Sequence, residues 1–174
     1  GHILVRDGDT FYGYGRRSYN PQGSHIGFPP PVGSRFILFA CNKNPGSRTV
    51  KMKAANGKTY QQRRIKHRWV RQPRLLARAM TVAGKRLLAA GPPHYPVSRK
   101  TAGRYGSEEY EAWLQKEKAG WEGRRGAHLM AFSAQDGKRL LRRRLPARPV
   151  FDGMAAADGH LFLSLQDGTL ACFE

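Results

Sequence analysis

The sequence predicts an all-β fold, a partial β-propeller of about three four-stranded antiparallel blades with one inserted α-helix. Three observations predict it. Between Gly126 and Glu174, short apolar runs alternate with Gln135-Asp136-Gly137, Ala157-Asp158-Gly159 and Gln166-Asp167-Gly168. An apolar run on each side of an Asp-Gly turn is the strongest short-range hairpin signal. The chain also matches itself: Met80 to Ala83 and Leu87 to Ala89 fall on Met154 to Ala157 and Leu161 to Leu163 at an offset of 74. Leu4-Val5 and Phe11 to Gly13 fall on the middle copy at an offset of 76. A four-stranded antiparallel unit recurring along a chain is the sequence form of a propeller blade.

In chain order, His2 to Val5 and Thr10 to Tyr14 read as strands about an Asp7-Gly8-Asp9 turn, rich in β-branched and aromatic residues. Arg16 to Ser34 holds Pro21, Pro29, Pro30 and Pro31, which cannot pair in a sheet, so this is an excursion loop. Phe36 to Cys41 is apolar on both faces and reads as a central strand. In the polar, basic stretch from Lys43 to Lys66, Asn56-Gly57 turns a small peripheral hairpin with arms Thr49 to Met52 and Thr59 to Gln61. His67 to Arg71 is a half-buried strand stopped by Pro73, and Arg78 to Val82 pairs with Arg86 to Ala90 about Gly84.

Gly91-Pro92-Pro93 opens a second excursion to Arg125, in which Ser107 to Gly120 is the one good helix. Ser107 caps it and Glu108 and Glu109 suit its first turn. Tyr110, Trp113, Leu114 and Trp121 form one apolar stripe. That stripe could bind a ligand, but packing onto the sheet beneath is the favoured use.

The third strand of the repeat recurs as Leu38-Phe39-Ala40, Leu129-Met130-Ala131 and Thr169-Leu170-Ala171. A fourth follows in two copies, as Lys66 to Trp69 and Lys138 to Leu141. The blades thus span about residues 1–72 (excursions 16–35 and 43–64), 77–146 (helical insertion 92–125) and 150–174, the last incomplete. Closed propellers need roughly four to eight blades. The remaining blades of a parent ring are therefore the expected partner, with the missing strand supplied by upstream chain.

The net charge is +19, all of it from residues 1–106, where 21 Lys and Arg face two acids (21 − 2 = +19); residues 107–174 hold ten of each sign. Such a half could meet nucleic acid, anionic lipid or another polyanion. Its scattered charges equally suit a solvated surface, and nucleic acid is the less favoured partner. No run of about 18 apolar residues is present to span a membrane. Cys41 and Cys172 fall at matching repeat positions and read as two free, buried thiols.

Catalytic patterns are scarce. Gly-x-Ser-x-Gly, His-Glu-x-x-His and a phosphate-binding loop are absent, the six histidines are dispersed, and no catalytic residue or metal site is assigned. Gly13-Tyr14-Gly15 lacks a following helix and reads as strand. One set carries a site hypothesis. The first strand of each blade lies nearest the channel, and the equivalent positions there are His2, Arg78 and Asp152. Arg78 and Asp152 would be a ligand-binding pair or, as the favoured reading, an interblade salt bridge.

Ala131-Phe-Ser-Ala-Gln-Asp-Gly137-Lys138 resembles the blade motif of pyrroloquinoline-quinone-like (PQQ-like) propellers, with Ala131, Gly137 and Lys138 matching. Ser133 replaces its usual Asp, Asp136 its Thr, and Leu141 its closing Trp, whereas Lys66 and Trp69 keep the Lys-x-x-Trp ending. Tyr12 to Arg16, Arg78 to Met80, Ala90 to Pro93 and Pro149 to Met154, with Gly153, look like the carboxy-terminal blades of large bacterial proteins of that type.

The resemblance implies a repeat fold and an extracytoplasmic location. It is weak for activity: the expected role is a non-catalytic segment that scaffolds or binds a ligand or protein. The alternatives are part of a quinone dehydrogenase, in which case PQQ with calcium would be the cofactor, and polyanion or nucleic-acid binding through residues 1–106.

Overall fold

The computed structural model describes residues 3–16, 36–53, 56–96, 98, 101 and 104–174. Turn chemistry sets the strand order. Gly8 and Gly84 take positive φ (53° and 54°) at the first position of two-residue connections, and Asp158-Gly159 takes it at both (48° and 79°). These are the left-handed positions that let a two-residue loop match the twist of paired strands. They join β1 (Ile3–Asp7) to β2 (Thr10–Arg16), β7 (Ala79–Ala83) to β8 (Arg86–Gly91), and β11 (Pro149–Ala157) to β12 (His160–Leu165).

The protein is mostly β, with antiparallel sheets of two to four strands and one α-helix among the described residues. The first sheet runs β1-β2-β3-β6, with β3 at Phe36–Asn42 and β6 at Trp69–Arg71. The second runs β7-β8-β9-β10, with β9 at Ala127–Ser133 and β10 at Arg139–Leu145. The third is β11-β12-β13, ending in β13 (Leu170–Phe173). Between β3 and β6 the chain leaves the first sheet as a separate two-stranded ribbon, β4 (Ser47–Lys53) with β5 (Thr59–Ile65), at the place expected for the basic hairpin. The helix α1 (Glu108–Trp121) is capped by Ser107, whose hydroxyl accepts from the Tyr110 amide. No described helix is long and apolar enough to cross a membrane.

Two apolar layers hold the three sheets together. The first packs Tyr12, Leu38 and Trp69 of the first sheet against Leu87, Met130 and Phe132 of the second. The second layer packs Leu88, Leu129 and Leu145 of the second sheet against Leu161, Leu163 and Leu165 of the third. Alternation along a strand sends β8 into both: Leu87 faces one layer and Leu88 the other. Between sheets the strand axes come closest at the first strands, β1 to β7 and β7 to β11.

Trp69 seats the first interface. It pairs with Ala40, is 6% exposed, and its indole Nε1 donates to the Ala134 carbonyl at 3.0 Å. Its ring lies over Gly137 in the β9–β10 turn, where an added Cβ would stand 2.5 Å from the indole. Leu141, which stands for Trp in the second sheet, pairs with Ala131 in the same register but remains 50% exposed.

Two expectations need correction. The third copy is shifted by one residue: Tyr12 pairs with Ala40 and Leu88 with Ala131, but the equivalent Phe162 pairs with Cys172 and not Ala171. A shift of one turns every side chain of β13 to the other face. Cys41 is buried and Cys172 is exposed; both are free. Cys172 lies on an edge strand that no fourth strand covers among the described residues. The proline-rich excursion lies outside the described residues from position 17 to 35.

Gly8 and Gly137 separate two costs. Both take positive φ, but nothing stands within 4 Å of a Cβ at Gly8. We expect Gly8→Ala to cost about 1 kcal/mol and Gly137→Ala more than about 2 kcal/mol in urea unfolding, because only the second also displaces the indole. Equal midpoints for the two variants would contradict this packing.

Candidate functional site

The closest approach of the sheets gathers the residues that the sequence singled out. The register in β11 jumps from Pro149↔Leu165 to Met154↔Leu163, so residues 150–153 bulge out of the ladder. Within the bulge Asp152 has φ +57°, and Gly153 is tightly enclosed, with a Cβ position 3.1 Å from Val150 and 3.2 Å from Ser164. A non-glycine residue in that region is strained and must be held by its surroundings. The hold is a main-chain bond across sheets, from the Asp152 amide to the Arg78 carbonyl at 2.9 Å.

The structure thus brings Arg78 and Asp152 together, though not as the expected salt bridge. The guanidinium Nε of Arg78 donates to the Pro149 carbonyl at 3.1 Å, and no Arg78–Asp152 ion pair is present among the described residues. Burial, and then the nearby Arg148 cation, lower the pKa of Arg78 from its ordinary value. Asp152 is exposed. A hollow of about 220 Å³ adjoins this place, lined by Tyr14, Leu76, Arg78, Pro92, Trp121 and Phe151. His2, the third member of the set, lies outside the described residues.

The matched motif residues serve the sheet interfaces. Ala131 is buried in the second layer, and Gly137 lies beneath Trp69. The Lys138 amide donates to the Asp136 carboxylate at 2.9 Å, and Arg71 donates to the Asp136 carbonyl at 2.7 Å, clasping the turn to β6. The Lys138 amide and then the Ser133 hydroxyl, by hydrogen bonding, hold the Asp136 carboxyl below its usual range.

Sequence reasoning missed a polar anchor under the helix. The stripe of Tyr110, Trp113, Leu114 and Trp121 also includes position 117, an acid. Glu117 is 2% exposed; its Oε1 lies 2.8 Å from Nδ1 of His94, and its Oε2 accepts from the Tyr95 amide at 2.9 Å. Trp113 Nε1 donates to the Tyr95 carbonyl at 2.7 Å, and Gly120 lets the helix approach the Pro93 carbonyl, 3.2 Å from where a Cβ would stand.

The helix therefore rests on the 93–95 segment through Trp113, Glu117 and Gly120. Pro93 bridges to Leu75, the His94 amide donates to the Arg74 carbonyl, and Arg74 holds φ +51°. Trp121, at the far end of the stripe, is 42% exposed. The signal that could have revealed the anchor is an acid on an apolar stripe: such a carboxylate is buried only with donors in place.

The ribbon collects part of the basic half. Arg48 lies directly opposite Arg64, a like-charge pair that destabilises an isolated ribbon. No three His, Cys, Asp or Glu side chains come together as a metal site among the described residues.

With this geometry in hand, comparison with family models, with curated proteins and with solved structures finds no match.

Two outcomes follow. Glu117→Ala leaves the His94 ring and the Tyr95 amide without their acceptor, at a cost of about 2–4 kcal/mol. Circular dichroism should show lost helix, with faster proteolysis between residues 96 and 107, and Glu117→Gln should retain much of both. Arg78→Ala should lower stability by about 1 kcal/mol through loss of the bond to Pro149. An unchanged unfolding midpoint would remove the role of this side chain in joining the second and third sheets.

Proposed function

We propose that the chain is a non-catalytic segment of a PQQ-like β-propeller, with three sheets as successive blades, that scaffolds or binds a ligand or protein partner. The observation that supports this reading is the shared plan of the sheets. Each is a meander in chain order, apart from the inserted ribbon, and neighbouring sheets approach most closely at their first strands. Approach at the first strands is what blades set about a common axis would give.

The remaining blades of a parent ring are the partners this reading supplies. The outer strand of the third sheet is an open edge carrying Leu170, 63% exposed. Beside it a groove of about 930 Å³ is lined by Leu140, Leu141 and Arg143 of β10 and by Phe173. Open apolar edges associate unless they are paired or charged.

In sedimentation velocity at increasing concentration, the chain by itself should self-associate. Leu141→Lys with Leu170→Lys should reduce that association, since charge on an edge opposes pairing. A monodisperse monomer with a sharp unfolding transition would contradict the reading.

A further inference from the structure

A cleft of about 1270 Å³ lies between the helix and the second sheet, and its charge is of one sign. The helix side contributes Lys116, Arg124 and Arg125, and β10 contributes Arg139, Arg142 and Arg144, with Arg74 beside them. Among the described residues no carboxylate lines it. Residues 107–174 sum to zero charge, yet six of their ten cations converge here.

Strand geometry produces the convergence. Arg142 and Arg144 alternate with Leu141 and Arg143, so one pair faces the cleft and the other faces the groove beside the third sheet. The buried Glu117–His94 anchor fixes the opposite wall. Tyr95 takes two cations on its ring, with Lys116 Nζ at 4.5 Å and the Arg125 guanidinium at 5.4 Å from the centroid.

The acids nearby are already engaged. Glu117 is held by His94 and Tyr95, and Glu122 pairs with Arg124 at 2.7 Å. No ion pair engages Lys116, Arg125, Arg139, Arg142, Arg144 or Arg74 among the described residues. Two ring nitrogens of cleft residues, His94 Nε2 and His128 Nδ1, are buried without a partner. Arg142 lies 3.0 Å from the other nitrogen of His128, and Arg74 holds its strained φ at the edge.

From this arrangement we propose an anion-binding site for a compact ligand bearing several phosphate or sulfate groups. Like charges held together without counter-charges destabilise the free protein and bind an anion strongly. Arginine forks match tetrahedral oxyanions bidentately. The density of cations in one cleft favours closely spaced phosphates or sulfates over an acidic peptide, whose carboxylates are spread along a backbone that needs partners of its own. The site does not depend on the propeller reading.

The test is calorimetric titration of the whole chain with inorganic tripolyphosphate and with sucrose octasulfate at physiological salt, which distinguishes a phosphate from a sulfate ligand. At least one should bind at a single site, and an octaglutamate peptide should bind at least about tenfold more weakly. Arg142→Gln with Arg144→Gln should weaken binding about tenfold or more, whereas Arg143→Gln, on the same strand but the other face, should leave it within about twofold.

Lys116→Gln with Arg125→Gln tests the other wall, should the first pair alter folding, and should weaken binding equally. All of these side chains are exposed. No binding of either probe, equal loss in Arg143→Gln, or an octaglutamate affinity matching the better probe would overturn the proposal.

Discussion

The seating of Trp69 on the β9–β10 turn is the contact on which the first half of the structure depends. A sheet of four strands has one apolar face to bury at each interface, and the largest side chain at this interface decides the spacing. The indole fits because position 137 has no Cβ and because the Ala134 carbonyl takes its N–H. A buried indole without that acceptor would cost free energy comparable to a lost hydrogen bond. Arg71 then fixes the same turn from outside through the Asp136 carbonyl. One strand of three residues thus holds two sheets in register.

The contrast with the second interface shows what this seat supplies. Leu141 occupies the same register position but stays half exposed, and it lines the groove beside the third sheet. There the apolar layer is carried by Leu161, Leu163 and Leu165 of β12 and by the main-chain bond from Asp152 to Arg78. The two interfaces therefore share a plan and differ in closure. The side of the second sheet toward the helix is charged instead, because alternate residues of β10 are arginines.

The strands and their order were legible because their signals are local. Gly at a left-handed turn position and period-two alternation of apolar residues need no knowledge of the rest of the chain, and the offsets of 74 and 76 mark three equivalent hairpins. The register of the third copy is not encoded in residue type: Leu170-Ala171 matches Phe39-Ala40, whereas pairing follows the length of the connection. The Asp152 amide meets the Arg78 carbonyl across the sheets. Their ion pair did not form because the bulge commits the Asp152 backbone, and not its carboxylate, to the contact.

The helix anchor and the cationic cleft were illegible for a different reason. Glu117 meets His94 across an excursion, and no period in the sequence encodes that distance. Six of the cleft's seven cations come from residues 107–174, where an equal number of acids cancels them, so counting charges hid it.

A double-mutant cycle on Trp69 and Gly137 tests the central contact most directly. If the indole is what an added Cβ meets, Gly137→Ala should cost more than about 2 kcal/mol in the wild-type background. It should cost only the backbone strain, about 1 kcal/mol, in a Trp69→Ala background. Additive costs within about 0.5 kcal/mol would contradict the seating of Trp69 on this turn.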